Sequence, residues 1–185
     1  MLDRQQAMDL LMAQNPDQSL VNHSLMSEAV MRGLAEKLGR DVELWGLIGL
    51  LHDVDFAHTK DDPDRHGLMA MELLSDKLPE DALTAIRAHN DEYTGQAPTQ
   101  ELDYALRCGE SVTGLVAANA LVRPEGMAGM KPKSLKKKMK QRAFAANVSR
   151  DIIGECERLG LDQGEFFQIA IDAIAPIAGE VGLSK

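Results

Sequence analysis

The sequence predicts an all-α fold, and three features carry this prediction. Apolar residues recur at intervals of three and four along nearly the whole chain, which is the spacing of amphipathic helices. No segment alternates apolar and polar residues over the length of a strand, and no Asn-Gly pair indicates a hairpin. Aromatic residues make up only 4% of the chain whereas Met occurs 10 times, so we expect an aliphatic, helical core.

The first half of the chain divides into five predicted helices, because residues that stop or cap helices separate its apolar stretches. Asn15-Pro16 ends the first helix, Gly39 ends the second and Asp41 caps the third. A polar loop over 57–63 precedes the fourth helix, which ends near Pro79. The five helices are expected over residues 3–14, 18–38, 41–51, 64–77 and 80–89.

The second half contains four further predicted helices. Thr99 caps a long one that follows a loop over 90–98 and reaches about residue 122, and two Pro and two Gly make 123–132 a loop. The next helices are expected over 134–146 and 149–159; Asp162 and Glu165 form a capping box that opens the last, which Pro176 kinks. Since the composition changes most after residue 123, we expect one domain over 1–185, with a core at about 18–122 and a helical cap at about 133–185.

The charge balance and the cysteines limit the classes of function. The formal net charge of -9 argues against nucleic acid or an anionic membrane as a general partner, although a local basic patch remains open. Cys108 and Cys156 form neither a metal-binding pair nor a disulfide framework, so we expect reduced thiols in a cytoplasmic protein. We also expect no signal peptide and no membrane span.

His52 and Asp53 directly follow an apolar run, 44–51, that predicts a buried helix. Burying an unpaired charge is too costly to persist, so an imidazole and a carboxylate at this place need a partner. A bound metal cation satisfies both groups at once, and the pair therefore indicates a metal site.

Further candidate ligands lie on inward faces of other predicted helices. They are His23, His66, His89 and Glu110. A mixture of nitrogen and oxygen ligands suits Mn, Fe, Co, Ni or Zn better than an all-oxygen Mg or Ca cage. Taken singly, each histidine also fits a structural role in the core, Glu110 fits an ion pair with Arg107, and His58 fits a solvated loop. The combination on separate helices favours the metal site.

The chain resembles the HD-domain metal-dependent phosphohydrolase superfamily, whose pattern is a His, a later His-Asp pair at a helix end, and an Asp further on. His23, His52 and Asp53 match the first three positions, and Glu110 stands where the family has its last Asp. His66 and His89 are similar to the additional histidines of two-metal members, in which the Asp of the pair bridges both ions. Residues 109–115 with 121–124 also resemble small bacterial HD proteins of the HDIG type, known only as predicted hydrolases. The resemblance covers about 20–146.

The resemblance implies an all-α HD-domain helical bundle with a small C-terminal helical extension. It implies a phosphomonoesterase or phosphodiesterase that uses metal-activated water, with one or two divalent transition metal ions, on a nucleotide or another small phosphorylated molecule. Asp53 is expected to orient the water, and Asp55 to act as an acid or base beside it. The expected phosphate-binding cations are Lys60, Arg65, Lys133 and Lys136, the last two from the basic run 131–142.

Two other functions remain open from the sequence. The additional histidines also fit a di-iron oxygenase of the same fold. Glu110 in place of the expected Asp also fits a non-catalytic regulatory module that binds a metal or a nucleotide. A homo-oligomer is compatible with either function.

Overall fold

The computed structural model describes residues 2–185, and all regular secondary structure in that range is helical, which confirms the predicted fold class. The eleven α-helices are α1 (Arg4–Ala13), α2 (Gln18–Leu38), α3 (Val42–Leu51), α4 (Phe56–Thr59), α5 (Leu68–Leu74), α6 (Glu80–His89), α7 (Asp91–Thr94), α8 (Glu101–Leu121), α9 (Pro132–Met139), α10 (Arg150–Gly154) and α11 (Gln163–Ile174). Two 3₁₀ segments, Glu155–Leu159 and Ala175–Ile177, follow α10 and α11.

Local capping explains where the long helices begin and end. The Asp17 and Asp41 carboxylates accept the backbone N–H of Leu20 and Leu44 and so begin α2 and α3. Gly39 ends α2 in the left-handed conformation, with φ of 67°, which glycine adopts without steric cost. The predicted bounds of α2 and α6 agree with the structure to the residue.

A close approach between α2 and α3 brings the beginning of the first beside the end of the second. An added Cβ at Gly49 would lie 2.6 Å from the backbone oxygen of Ser27, so only glycine permits this separation. As a result His23, near the start of α2, meets His52, which directly follows α3. The helix α8 packs against α2, and Gly109 lies beside the Met31 side chain there.

The C-terminal helices share their core with the rest of the chain. The helix α11 packs on α2, α8 and α9, and its Phe166 and Phe167 are fully buried. One cluster of buried side chains runs from Ala7 to Leu183. None of the helices described combines the length and the apolar character that a bilayer crossing requires.

Several predicted helices prove shorter or divided. The helix predicted over 64–77 begins only at Leu68, because Gly67 has a φ of 85° and turns precede it. The helix predicted over 134–146 ends at Met139, and the guanidinium of Arg150 binds the carbonyls of the turns that follow. The single helix predicted over 149–159 is α10 followed by a 3₁₀ segment. The 90–98 loop contains the short helix α7, and the cap of α8 is Gln100 rather than Thr99.

Candidate metal centre

Four helices and one turn bring the six predicted ligand residues to a single place. His23 comes from α2, the His52-Asp53 pair follows α3, His89 ends α6, Glu110 lies on α8, and His66 lies in the turn before α5. Residues 45–51 of α3 are all buried, so this helix carries the pair into the interior. His52 is completely buried.

Asp53 lies at the middle of this group. Its Oδ1 is 3.3 Å from the Nε2 atoms of both His66 and His89 and 3.5 Å from that of His52. Its Oδ2 is 3.5 Å from the Nε2 of His23. The ligand atoms form two groups of three that each suit a metal ion: His23, His52 and Asp53 in the first triad, and Asp53, His66 and His89 in the second triad. The two triads therefore share one carboxylate.

Hydrogen bonds at the far side of each ring fix which nitrogen faces the centre. The Nδ1–H groups of His52 and His89 donate to the backbone oxygens of Gly49, at 2.8 Å, and of Ile86. The Nδ1–H of His66 donates to Asp55 at 2.9 Å.

The fourth ring is fixed in the same way. The Thr113 hydroxyl donates to the backbone oxygen of Glu110, so it accepts the Nδ1–H of His23 at 3.0 Å. A neutral ring with its proton on Nδ1 presents a bare lone pair at Nε2. In the neutral form with the proton on Nδ1, all four rings would turn an Nε2 lone pair towards Asp53, which is the arrangement of ligating histidines held by outer partners.

The spacing of these lone pairs fits a divalent cation. The Nε2 atoms of His23 and His52 are 3.1 Å apart, and those of His66 and His89 are 3.0 Å apart. Unprotonated nitrogens at that distance repel one another unless a cation lies between them. Adjacent corners of an octahedron with metal–nitrogen bonds of about 2.1 Å are about 3.0 Å apart. The two nitrogen pairs are therefore spaced as two ligands of one divalent cation would be.

The protonation of the rings differs between the triads. Burial lowers the pKa of His52 to about 3, so this ring is neutral and ready to ligate. Burial also lowers the pKa of His66, but hydrogen bonds to Asp53 and Asp55 outweigh it and raise that pKa to about 10. Although burial opposes it, the surrounding imidazoles hold the pKa of Asp53 well below its usual range. Without a metal, a proton on His66 supplies the positive charge of the second triad.

Glu110 lies at the edge of the first triad rather than in it. Its Oε2 is 3.8 Å from the Nε2 of His23, and its other oxygen accepts the hydroxyl of Ser111. Burial raises the pKa of this carboxyl. The role of Glu110 as a ligand stays a prediction. The alternative, an ion pair between Glu110 and Arg107, is not formed, because Arg107 binds Asp91 and Glu155 instead.

Asp55, for which the sequence predicts an acid or base role, is hydrogen-bonded in the interior of the protein. This carboxylate is completely buried, and besides His66 it accepts the backbone N–H groups of Gly67 and Ala70, at 2.8 and 3.0 Å. These hydrogen bonds hold the ring of His66 and the beginning of α5 in place, which is a positioning role. The predicted acid or base role of Asp55 stays a prediction.

The predicted phosphate-binding cations separate into two places. Lys60 lines a cleft of about 370 Å³ that opens beside His23 and Asp53, whereas Arg65 is exposed and outside its lining. The α9 residues Lys133 and Lys136 are not among the residues that line this cleft. Lys136 faces Asp162 at 3.8 Å, and Ser134, beside Lys133, binds Asn119, which lies about 13 Å along α8 from Glu110. The α9 helix packs against α11 and α8, and the predicted phosphate-binding role of its two lysines stays a prediction.

Two residues of the site were not predicted. Thr113, which orients His23, lies three residues after Glu110 on the same inward stripe, so its hydroxyl was a usable signal. Phe56 lies in the cleft wall, 39% exposed, one helical turn after Asp53. An exposed aromatic residue so close to the His-Asp pair was the available signal.

The part of the chain that contains this centre matches a known protein family. A family model described as HD domain matches residues 20–140, which is more than half of the chain and includes all six candidate ligands. None of the curated proteins matches the chain. The matched range begins in α2 and ends just after α9, so it leaves out α10 and α11.

Proposed function

The chain belongs to the HD-domain family, and we propose on this premise that it is a metal-dependent phosphohydrolase acting on a nucleotide or another small phosphorylated molecule. The observation that carries the proposal is the pair of triads that share Asp53. Histidine rings that are each held by a hydrogen bond at Nδ1 and face one another with Nε2 are suited to divalent ions. The HD-domain family also consists mostly of metal-dependent hydrolases.

The residues of the chain have separate tasks in this proposal. His23, His52 and Asp53 would hold one ion, and Asp53, His66 and His89 would hold a second. When bound, a divalent cation supplies Lewis acidity, which lowers the pKa of a water molecule and polarises a phosphoryl oxygen. Asp53, which belongs to both triads, would contribute to holding both ions and would orient the reacting groups. Lys60 places one positive charge at the mouth of the cleft for the phosphate.

A phosphoesterase screen with added metal tests the proposal. The purified protein is assayed with nitrophenyl phosphate, bis-nitrophenyl phosphate and a panel of nucleotides in the presence of Mn, Fe, Co, Ni or Zn. We expect turnover with at least one metal. We also expect a loss of roughly a thousandfold or more in Asp53→Ala, because that change removes a ligand from both triads.

Matched histidine variants locate the activity. His52→Ala is expected to lose both bound metal, by elemental analysis, and activity. His58→Ala removes an exposed imidazole outside both triads and should retain both. Turnover of no phosphoester by protein with two bound irons and a mixed-valent signal in electron paramagnetic resonance would instead favour the oxygenase.

A further inference from the structure

Two cavities flank the ring of His23. The cleft of about 370 Å³ is lined by Asn15, Asp17, Phe56 and Lys60 and reaches Asp53. A second cavity of about 510 Å³ shares Ser19 and His23 with the cleft and continues past Ala117 and Leu121 to the C-terminal segment at Leu183. Both volumes fall in the range of small-molecule sites, so we expect a substrate of modest size.

Positive charge is scarce along these cavities. Lys60 is the only Lys or Arg among the residues that line either of them, and Asp17 stands in the wall of the cleft. The exposed segment just outside carries Asp61, Asp62 and Asp64 against Arg65. A chain of several phosphates would therefore meet net negative charge beyond the metal ions. Bringing like charges together costs free energy, so this charge distribution disfavours a ligand that carries several phosphates.

None of the seven cations of 131–142 is among the residues that line either cavity. Lys136 faces Asp162, and Lys138 lies over the Phe144 ring. Apart from the ions that the triads would hold, Lys60 is thus the one lysine or arginine in the described lining that is available to a phosphoryl group.

Phe56 offers a flat apolar surface beside that single phosphate position. Its ring is 39% exposed, and its centroid lies 5.3 Å from that of His66 in an edge-to-face arrangement with an interplanar angle of 75°. Phe56 lines the same cleft as His23 and Asp53, so an aromatic group stacked on it would lie in the cavity that these ligand residues also line.

We propose that the substrate is a phosphate monoester with one phosphoryl group and a flat aromatic group, as in a nucleoside monophosphate. The aromatic group stacks on Phe56, and the phosphoryl group lies between Lys60 and Asp53. Nucleoside di- and triphosphates are rejected because their further phosphates have no cation to meet. The inference rests on the proposed phosphohydrolase function and specifies its substrate.

The first arm of the test compares the mono-, di- and triphosphate of one nucleoside at the same excess of metal over nucleotide. We expect kcat/KM to fall at least tenfold from the mono- to the triphosphate. Lys60→Gln should raise KM for the monophosphate, whereas Lys137→Gln, an exposed cation on α9, should not. Equal or faster turnover of the triphosphate would overturn the inference and leave the phosphohydrolase proposal standing.

The second arm measures binding without turnover. Calorimetry on the metal-loaded protein compares benzylphosphonate with ethylphosphonate, which carry the same charge and are not hydrolysed. We expect the benzyl compound to bind roughly fivefold or more tightly in the wild type, and the two to bind alike in Phe56→Ala. Phe56→Tyr, which keeps the ring, should retain the preference.

Tyr93→Ala is the matched control for this arm. Tyr93 is 45% exposed and lies outside both cavities, so its removal should leave the preference for the benzyl compound unchanged. An undiminished preference in Phe56→Ala would overturn the stacking contact. Failure of the proposed function has its own pattern, in which metal-loaded protein neither binds a phosphonate nor hydrolyses any phosphoester, and that result would overturn both.

Discussion

The candidate metal centre and the basic run 131–142 are both dense in ionisable side chains, but these side chains differ in burial and in the number of their partners. In the centre each imidazole makes a hydrogen bond at Nδ1 and faces Asp53 with Nε2. In the basic run most lysines are exposed, and Lys136 reaches a single carboxylate at 3.8 Å. Water solvates a surface ammonium at little cost, whereas a buried polar group needs a protein partner or an ion.

This contrast shows which ionisable side chains the fold holds in a defined arrangement. A buried group is fixed by neighbours that come from distant parts of the chain, so each replacement disturbs several contacts. A surface lysine has few neighbours, and its replacement disturbs almost none. Local density of charge along the sequence is therefore a poor guide to the site, and burial together with partners is a good one.

The replacement Asp55→Ala should show the largest effect on stability. It leaves the Nδ1–H of His66 and the N–H groups of Gly67 and Ala70 without their buried acceptor, so we expect a loss of about 3 kcal/mol or more in the free energy of unfolding. The second triad should also lose its ion. Urea unfolding and elemental analysis measure the two effects.

The exposed neighbour provides the control for this change. Asp61→Ala should alter the free energy of unfolding by less than about 0.5 kcal/mol. If Asp55→Ala were as stable as Asp61→Ala and kept its metal, the positioning role of Asp55 would be wrong.

The replacement Gly49→Ala tests the close approach of α2 and α3. Its Cβ would lie 2.6 Å from the Ser27 backbone oxygen, so the helices must separate, at a cost of about 1–3 kcal/mol. The same separation moves His52 away from His23 and should weaken metal binding at the first triad. Gly154→Ala, whose Cβ meets nothing within 4 Å, is the control and should be neutral or stabilise by up to about 1 kcal/mol.

The pH dependence of the metal-free protein should show the two triads separately. The pKa of His66 is raised to about 10, so its contribution to stability is complete below the ordinary value of 6.5 and is lost as the pH rises towards 10. The pKa of His52 is lowered to about 3, so its contribution is present above 6.5 and is lost as the pH falls towards 3.

From these two groups we expect the melting temperature of chelated protein to be highest near pH 6.5. Replacing His66 with Gln should remove much of the fall on the alkaline side, since no proton is then bound there. Saturating metal should also flatten that side, because an ion replaces the proton. An unchanged alkaline fall in the variant would contradict the assignment.

The smallest effects are expected in the basic run. Lys136→Gln together with Lys137→Gln should change the free energy of unfolding by less than about 0.5 kcal/mol, because exposed ion pairs contribute little. Metal content and KM for a phosphoester should also be unchanged. A clear rise in KM would return this face of α9 to the substrate site.

Local signals in the sequence predicted those parts of the molecule that local forces determine. The glycine at 39 indicated the end of α2, and the cap at Asp41 indicated the start of α3. The apolar run 44–51 indicated His52 and Asp53, and the inward stripes indicated the other four candidate ligands, since a buried face is a periodic property of the chain.

Contacts between distant residues explain what could not be predicted. The start of α5 depends on the Asp55 carboxylate, which accepts the N–H of a residue fifteen positions later. The direction of Lys136 depends on Asp162 and on how α9 packs against α11. Contacts of this kind leave no pattern of spacing in the sequence. The hydrogen bonds of Asp55 and the packing of α9 are therefore visible only in the folded structure.

In the proposed state with two ions, the carboxylate common to both triads would link their occupancies thermodynamically. Two cations on the oxygens of one side chain repel each other, so we expect the second ion to bind more weakly than the first, and the coupling acts equally in both directions. Over an intermediate range of free metal the chain then holds one ion, and only above it two. A calorimetric titration of chelated protein should resolve two unequal steps, which would make the fully loaded state a measure of how much metal the surroundings supply.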